Sequence, residues 1–373
     1  NVDSAIKVNG SNLVEKWFDQ SNNKNHAIQN TNDNKPELID SINKINNLPA
    51  LSFDGNDPPS SDYFNFNDTS LSEFTVFTVY KLNPSPNGNS YILSDNDSLN
   101  GGVYAGGTGS LDGYGIIKLS PNNHIEANNM PLDQWVYTSF QNNNLFKNSI
   151  EANYEKRDSI TSYIFGRIGR RGNNYSGKFS FKGYISEIIV YKKSLADSTR
   201  GLVEDYIANK YAPPVCLGKN IKIKDRFCDT SLSISSRFET VTWSNGKSKD
   251  TIKISSSGKY SAEVTDIFGS TSSDTIKVDY PKINYPTKTI LCKNDTIIWK
   301  TGLADSIFNF TWQDSSTGSL IKITQPGDFY VTVKDSFGCS ITSDTVTITM
   351  DSISNITSLG PDTSLCSGNK IGL

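Results

Sequence analysis

The sequence predicts an all-β chain built of sandwiches in a row, and three observations carry that expectation. Short segments rich in β-branched and aromatic residues alternate with clusters of Gly, Asn and Pro, as strands and turns of a sandwich do. One stretch only has helical spacing. Beyond residue 213 a pattern returns with a period of 69 residues from Trp243 to its counterpart Trp312, which marks an internal repeat.

In the first 212 residues, Phe74–Tyr80, Trp135–Phe140 and Ile185–Tyr191 read as strands. The helix follows them. Ser194 to Asp197 resembles a capping box, and Leu202, Val203, Tyr206 and Ile207 recur at helical spacing, so the helix is expected to seal one end of the sandwich. Pro213-Pro214 cannot donate backbone hydrogen bonds and reads as a stiff linker. Composition shifts there: 32 of 39 Asn precede residue 213, and all five Cys follow it. The first repeat contains Trp243-Ser-Asn-Gly246, Tyr260, Asp266, Phe268-Gly269-Ser270 and Ser273-Asp274-Thr275. The second contains Trp312-Gln-Asp-Ser315, Tyr330, Asp335, Phe337-Gly338-Cys339 and Ser343-Asp344-Thr345. A third opens at Leu359 and breaks off at Leu373. The expected limits are 1–212, 213–281, 282–351 and a truncated start at 352–373, in a chain cut from a longer, processed protein.

Composition excludes several functions. The 36 Lys and Arg against 39 Asp and Glu leave no basic excess to neutralise a phosphate backbone, so nucleic acid is not an expected partner. Two His cannot build a histidine metal cluster. No run approaches 18 apolar residues, so no membrane span is expected. Aromatic residues at 11% are too many for a disordered chain.

Three stretches of the front region resemble the bacterial laminin-G-like, concanavalin-A-like jelly rolls. They are Trp17-Phe-Asp19-Gln-Ser21-Asn22-Asn23-Lys-Asn25-His-Ala27, Phe53-Asp54-Gly55 with Asp62-Tyr63-Phe64, and Phe181-Lys-Gly183-Tyr-Ile-Ser-Glu187-Ile-Ile-Val190-Tyr191 with the closing helix. Asn22 stands where that family has its first glycine, and the family's opening strand is absent or partial. The repeats resemble immunoglobulin-like modules of Bacteroidetes-type surface proteins, many exported by the type IX pathway. The resemblance implies a secreted or cell-surface chain in which disulfides form. It implies Cys292–Cys339 as the bridge of the second repeat. Cys228 then lacks its partner, because Ser270 holds that position, and Cys216 is the replacement expected for it; Cys366 is expected to pair beyond the chain given. The family also implies O-glycosylation at Asp-Ser/Thr-X tripeptides, with Ser41, Ser98 and Ser159 leading.

A retaining glycosidase needs two carboxyls about 5–5.5 Å apart, hence Glu-x-Asp on one strand face. No predicted strand carries it; Glu187 stands alone, and the chain is expected not to be an enzyme. Asp19, Ser21, Asn22, Asn23 and Asn25 lie within seven residues and could supply calcium with oxygen ligands; the alternative is that they build turns. Sugars are held by aromatic faces and fixed polar groups. Tyr104, Asp112 and Tyr114 in one glycine-rich loop, and Arg170, Asn173 and Tyr175 in another, offer both. Trp17 and Trp135 are expected in the core. The function expected is a non-catalytic adhesin, with a glycan-recognising or surface-ligand head on an immunoglobulin-like stalk. The alternatives are a structural spacer and an accessory module of a polysaccharide hydrolase carried on further domains of the longer chain.

Overall fold

The computed structural model describes residues 5–351 apart from 57, 85–89, 96–101, 106–113, 120–124, 142–143, 153, 158–162 and 173–178. The chain divides into two compact units. The first holds residues 1–215 together with 235–242 and 263–273; the second holds 216–234, 243–262 and 274 onward. The expected limit at 212 falls near the end of the first long stretch, and the first repeat is shared between the units.

The first unit is a β-sandwich. Among the described residues its larger sheet has ten strands, in the spatial order Ile6–Val8, Val14–Trp17, Ala27–Ile28, Phe64–Leu71, Tyr163–Ile168, Ser90–Ser94, Gly102–Ala105, Tyr114–Leu119, Ile125–Pro131 and Tyr154–Arg157. The facing sheet has seven: Ile150–Glu151, Asn144–Lys147, Trp135–Gln141, Thr75–Leu82, Lys182–Tyr191, Leu48–Asp54 and Glu37–Ile42. The three segments predicted as strands are the three adjacent central strands of this second sheet. Alternate residues of a strand point to opposite faces. Val76 and Tyr80 therefore join Phe53, Phe64, Phe140 and Phe165 in the core between the sheets, while Phe77 and Val79 face outward.

That outer face is also buried, so that every residue of the strand Thr75–Leu82 except Lys81 is buried. The helix Asp197–Tyr211 lies on it, with Ile207 and Tyr211 against Phe77, Val79, Trp135 and Tyr137. Two expectations are corrected here. The helix covers a sheet face and does not seal the end of the sandwich. Ala196, not Ser194, caps it: its carbonyl accepts the N–H groups of Thr199 and Arg200, with no side-chain cap. Leu202 and Tyr206 are exposed. The buried side instead carries Glu204, whose Oε1 accepts hydrogen bonds from Ser139 Oγ and from Arg200 Nη1 at 2.7 Å. Arg200 in turn lies 3.5 Å over the Phe146 ring. A charged pair thus takes the place that the apolar pattern assigned to leucine.

In both repeats a Trp anchors a tight turn with its indole N–H. Trp243 donates to the Lys249 carbonyl at 2.8 Å and Trp312 to the Gly318 carbonyl at 2.9 Å. A second shared turn follows. Asp266 Oδ1 accepts the N–H groups of Phe268 and Ser270, and Asp335 Oδ1 those of Phe337 and Cys339. Gly269 and Gly338 sit at φ 83° and 95°, a region that favours glycine. The two turns match, yet their surroundings differ. Phe268 is buried in the outer core of the sandwich, with its ring 4.9 Å from that of Tyr137, and its carbonyl accepts from Asn148 Nδ2. Phe337 is 57% exposed, beneath the Arg226 guanidinium at 4.4 Å.

The cysteine pairing is corrected as well. Cys228 is bridged to Cys339, not to Cys216; Cys339 is therefore not bridged to Cys292. Cys216 is free and exposed, and Cys292 is bonded in a different disulfide. The reason lies in the core of the second repeat. Phe227 belongs to it, with its ring 5.0 Å from that of Phe308, and its N–H donates to Asp335 Oδ2 at 2.7 Å. This places Cys228 beside Cys339.

The two turns generate a paired prediction. Phe268→Ala should cost about 3–5 kcal/mol, as removal of a buried aromatic does, whereas Phe337→Ala, which removes an exposed ring under an arginine, should cost no more than about 1 kcal/mol. Urea unfolding of the full chain measures both.

Candidate functional site

A cleft of about 540 Å³ opens in the sandwich between the inner face of the larger sheet and one edge of the strand Lys182–Tyr191. Backbone pairing explains it. That strand pairs with Thr75–Leu82 from Gly183 to Tyr191, but with Leu48–Asp54 only from Lys182 to Ile185. The ladder stops short of Pro49, which has no N–H to contribute; its carbonyl accepts from Ser186 Oγ at 2.7 Å. Residues 186–190 therefore form a wall of the cleft, with Leu48 and Pro49 beside them.

The opposite wall is apolar and aromatic: Trp17, Phe18 and Phe66 with Leu71, Leu93 and Phe165. Trp17 is half-buried against the core, as expected, yet it also lines the cleft. Trp135 is buried on the other face of the seven-stranded sheet. The rim is polar. Asp19, Ser21, Asn23 and Asn25 lie on one side; Glu187, Lys192 and Lys210 lie on the other.

The loop Asp19–Asn25 is built on its own carboxylate. Asp19 Oδ1 accepts the Ser21 N–H at 2.8 Å, and Oδ2 accepts the Ser21 hydroxyl at 2.9 Å and the Asn25 N–H at 2.8 Å. Burial alone would raise the Asp19 pKa. These bonds and His26 outweigh it and hold the carboxyl below its usual range. Asn25 ties the loop to the neighbouring strand: Oδ1 accepts the Asn67 N–H and Nδ2 donates to the Asn67 carbonyl. Asn22 is exposed at the tip, outside the cleft lining. The residues considered as a calcium set thus have their Asp oxygens engaged in turn bonds.

Across the cleft, Glu187 Oε1 accepts from Lys210 Nζ at 2.9 Å and from the Tyr206 hydroxyl at 3.4 Å, while Oε2 is buried without a partner. Burial works against the Lys210 charge, and the neighbouring Tyr211 and Glu187 raise its pKa above the usual range. Among the described residues one cluster has metal-like proximity, Cys228, Asp335 and Cys339. Its sulfurs are joined in a disulfide, so neither is the thiolate that a metal requires.

Of the ligand residues suggested by sequence, Asp112, Asn173 and Tyr175 lie outside the described residues. Tyr104 and Tyr114 fall in the strands Gly102–Ala105 and Tyr114–Leu119. Arg170 is buried, not displayed on a loop. Its guanidinium lies 4.0 Å over the Tyr63 ring and donates to Ser61 Oγ at 3.1 Å, and Arg167 lies 4.9 Å from the same ring. Sequence patterns missed the partnership of Trp17, Phe18 and Phe66 with Glu187 and Lys210. The apolar run around Trp17 was legible, but strand pairing decides what faces it. Of the three leading serines for glycosylation, Ser41 is exposed on the strand Glu37–Ile42; Ser98 and Ser159 lie outside the described residues.

Beside Arg170, Asp54 and Asp62 clasp two chain segments: the Asp54 N–H donates to Asp62 Oδ2 at 2.9 Å, and the Asp62 N–H to Asp54 Oδ1 at 3.2 Å. Burial, with the charges of Asp54 and Glu37, pushes the Asp62 pKa up to about 7.

No protein-family model matches the chain, and no curated protein matches it. Solved structures similar to parts of it include a native heptameric SAP-like pentraxin from Limulus polyphemus, at 17% identity over 44% of this chain and 84% of that one, with a TM-score of 0.33. Ruminococcus gnavus IT-sialidase CBM40 bound to α2,3-sialyllactose matches at 15% identity over 36% of this chain and 83% of that one, with a TM-score of 0.28. The binding domain of Paraclostridial Mosquitocidal Protein 1 matches at 11% identity over 87% of this chain and 83% of that one, with a TM-score of 0.36. No described helix is long and apolar enough to cross a membrane.

The clasp generates a pH prediction. A carboxyl whose folded pKa is raised stabilises the fold below its unfolded pKa, and that contribution is lost as pH rises through the folded value. Between about pH 4 and 7, Asp62 should therefore lower stability with rising pH. Asp62→Asn should flatten that slope and gain about 1–4 kcal/mol at pH 8, with little gain at pH 4, as read by urea unfolding across the range.

Proposed function

We propose that the sandwich is a non-catalytic recognition head, that its jelly-roll cleft takes a carbohydrate, and that the repeats behind it are immunoglobulin-like stalk modules of a secreted or surface protein. The cleft carries this reading. Its volume falls in the range of small-molecule sites, and an apolar aromatic wall under a rim of hydrogen-bonding groups suits the mixed faces of a sugar. The two carboxylates at the rim support binding over catalysis. Asp19 is held by Ser21 and Asn25, and Glu187 by Lys210, so neither stands as a free acid or base opposite the other. The disulfide supports an oxidising compartment.

Glycan arrays probed with the full chain test the proposal. Trp17→Ala should weaken binding about tenfold, the equivalent of 1.4 kcal/mol, and Asn23→Ala, at the exposed rim, should weaken it without touching the core. Unfolding midpoints measured alongside separate lost contact from lost fold. Array binding that both variants leave unchanged would move the site elsewhere, and no binding to any glycan would remove the carbohydrate reading.

A further inference from the structure

The Asp-x-Phe-Gly turn occurs twice with one internal geometry, and the position that closes it is Ser270 in the first repeat and Cys339 in the second. The first turn is seated on the sandwich through Phe268, with a serine at its closing position. The second is seated on the segment Arg226–Cys228, which lies between the strands Ile221–Lys222 and Thr230–Ser233 of the first repeat. Three contacts hold it there: Arg226 over Phe337, the Phe227 N–H on Asp335, and the bridge itself. Asp335 is 2% exposed. Burial would raise its pKa, but the N–H groups of Phe227, Cys339, Phe337 and Gly338 together hold it below the usual range. The covalent link therefore sits in a fixed, polar-satisfied seat and joins the start of one repeat to the end of the next.

Its position along the chain has a mechanical consequence. We propose that the Cys228–Cys339 bridge turns residues 229–338 into a block shielded from tension. Force along a polypeptide follows the shortest covalent path, and that path crosses the sulfurs and bypasses the intervening residues, a sequence separation of 111. The strand pairs near the ends of this region are too short to do the same work. Ile221–Lys222 pairs in parallel with Val278–Asp279, and Ile290–Leu291 with Thr349–Met350, two residues in each case. A ladder of that length parts at a far lower load than a covalent bond. Within the block the strands can separate and re-form without lengthening the chain. An intramodular bridge from Cys292 to Cys339, a sequence separation of 47, would shield only the residues between those positions and leave the first repeat extensible. Use of the block as an inextensible stalk rests on the stalk proposed above; the shielding rests on the bridge alone.

Single-molecule extension of the full chain, held by handles at its two ends, tests it. Complete reduction should lengthen the fully extended chain by about 400 Å, since 111 residues span up to ~3.6 Å each. The Cys292→Ser variant should show the same gain, and peptide mapping without reduction should link Cys228 to Cys339. A gain near 170 Å, the length of a 292-to-339 loop at ~3.6 Å per residue, overturns the proposal, as does no gain. Arrays without glycan binding leave the 400 Å gain in place, while a chain that binds glycan and does not lengthen on reduction loses the shield alone.

Discussion

Ser186 is the extra residue of a β-bulge in the strand Lys182–Tyr191, between Ile185, which pairs with Tyr80, and Glu187, which pairs with Val79. Strict alternation from Ile185 would drive the Glu187 carboxylate into the core between the sheets, at a large desolvation cost. One inserted residue reverses the phase. Glu187 then emerges on the outer face, where Lys210 of the helix meets it, and Ile188 turns inward in its place. The Tyr211 hydroxyl reaches the Ser186 carbonyl at 3.4 Å. The bulge thus fixes where the helix ends on the sheet. Beside it, on the Pro49 side, pairing with the neighbouring strand ceases and the cleft opens. Core, helix and candidate site all depend on this local change of phase.

A second constraint is shared by the two repeats. A buried or half-buried Asp accepts backbone N–H groups from the turn that follows it, and a glycine with positive φ closes that turn. Such a turn is stiff, because the carboxylate replaces solvent for several donors at once. Stiffness lets it act as a fitting. With Phe268 it fills a gap in the outer core of the sandwich; with Phe337 and Cys339 it is fastened by an arginine and a disulfide. The electrostatic surroundings differ accordingly. Burial raises the Asp266 pKa above the usual carboxylate range against the bonds from its own turn, whereas Asp335, with the added N–H of Phe227, is held below it.

The recognition reading joins these features. A sandwich whose sheets are both covered, one by the other and the second also by a helix, is a rigid support. Loops held by Asp19 and Asn25 keep the cleft rim in place, and such fixing would lower the ordering cost of the binding proposed for it.

The sequence by itself determined the all-β class, the central strands, the existence of the helix and the repeat with its two matching Trp motifs. Each is written in side-chain periodicity or in turn chemistry within a few residues. Tertiary structure alone decided the rest. The buried side of the helix could not be read, because Glu204 is stabilised by Ser139, 65 residues away, and by Arg200, while Leu202 at an apolar-looking position faces solvent. Trp17 was legible as a core residue, but its second role needed the wall made by residues 186–190. The cysteine partners were equally out of reach: the family resemblance implied bridges within a repeat, whereas Phe227, by entering the core of the second repeat, carried Cys228 to Cys339. Local propensity acts through neighbours in the chain. Which face a residue buries, and which thiol it meets, are set by neighbours in space.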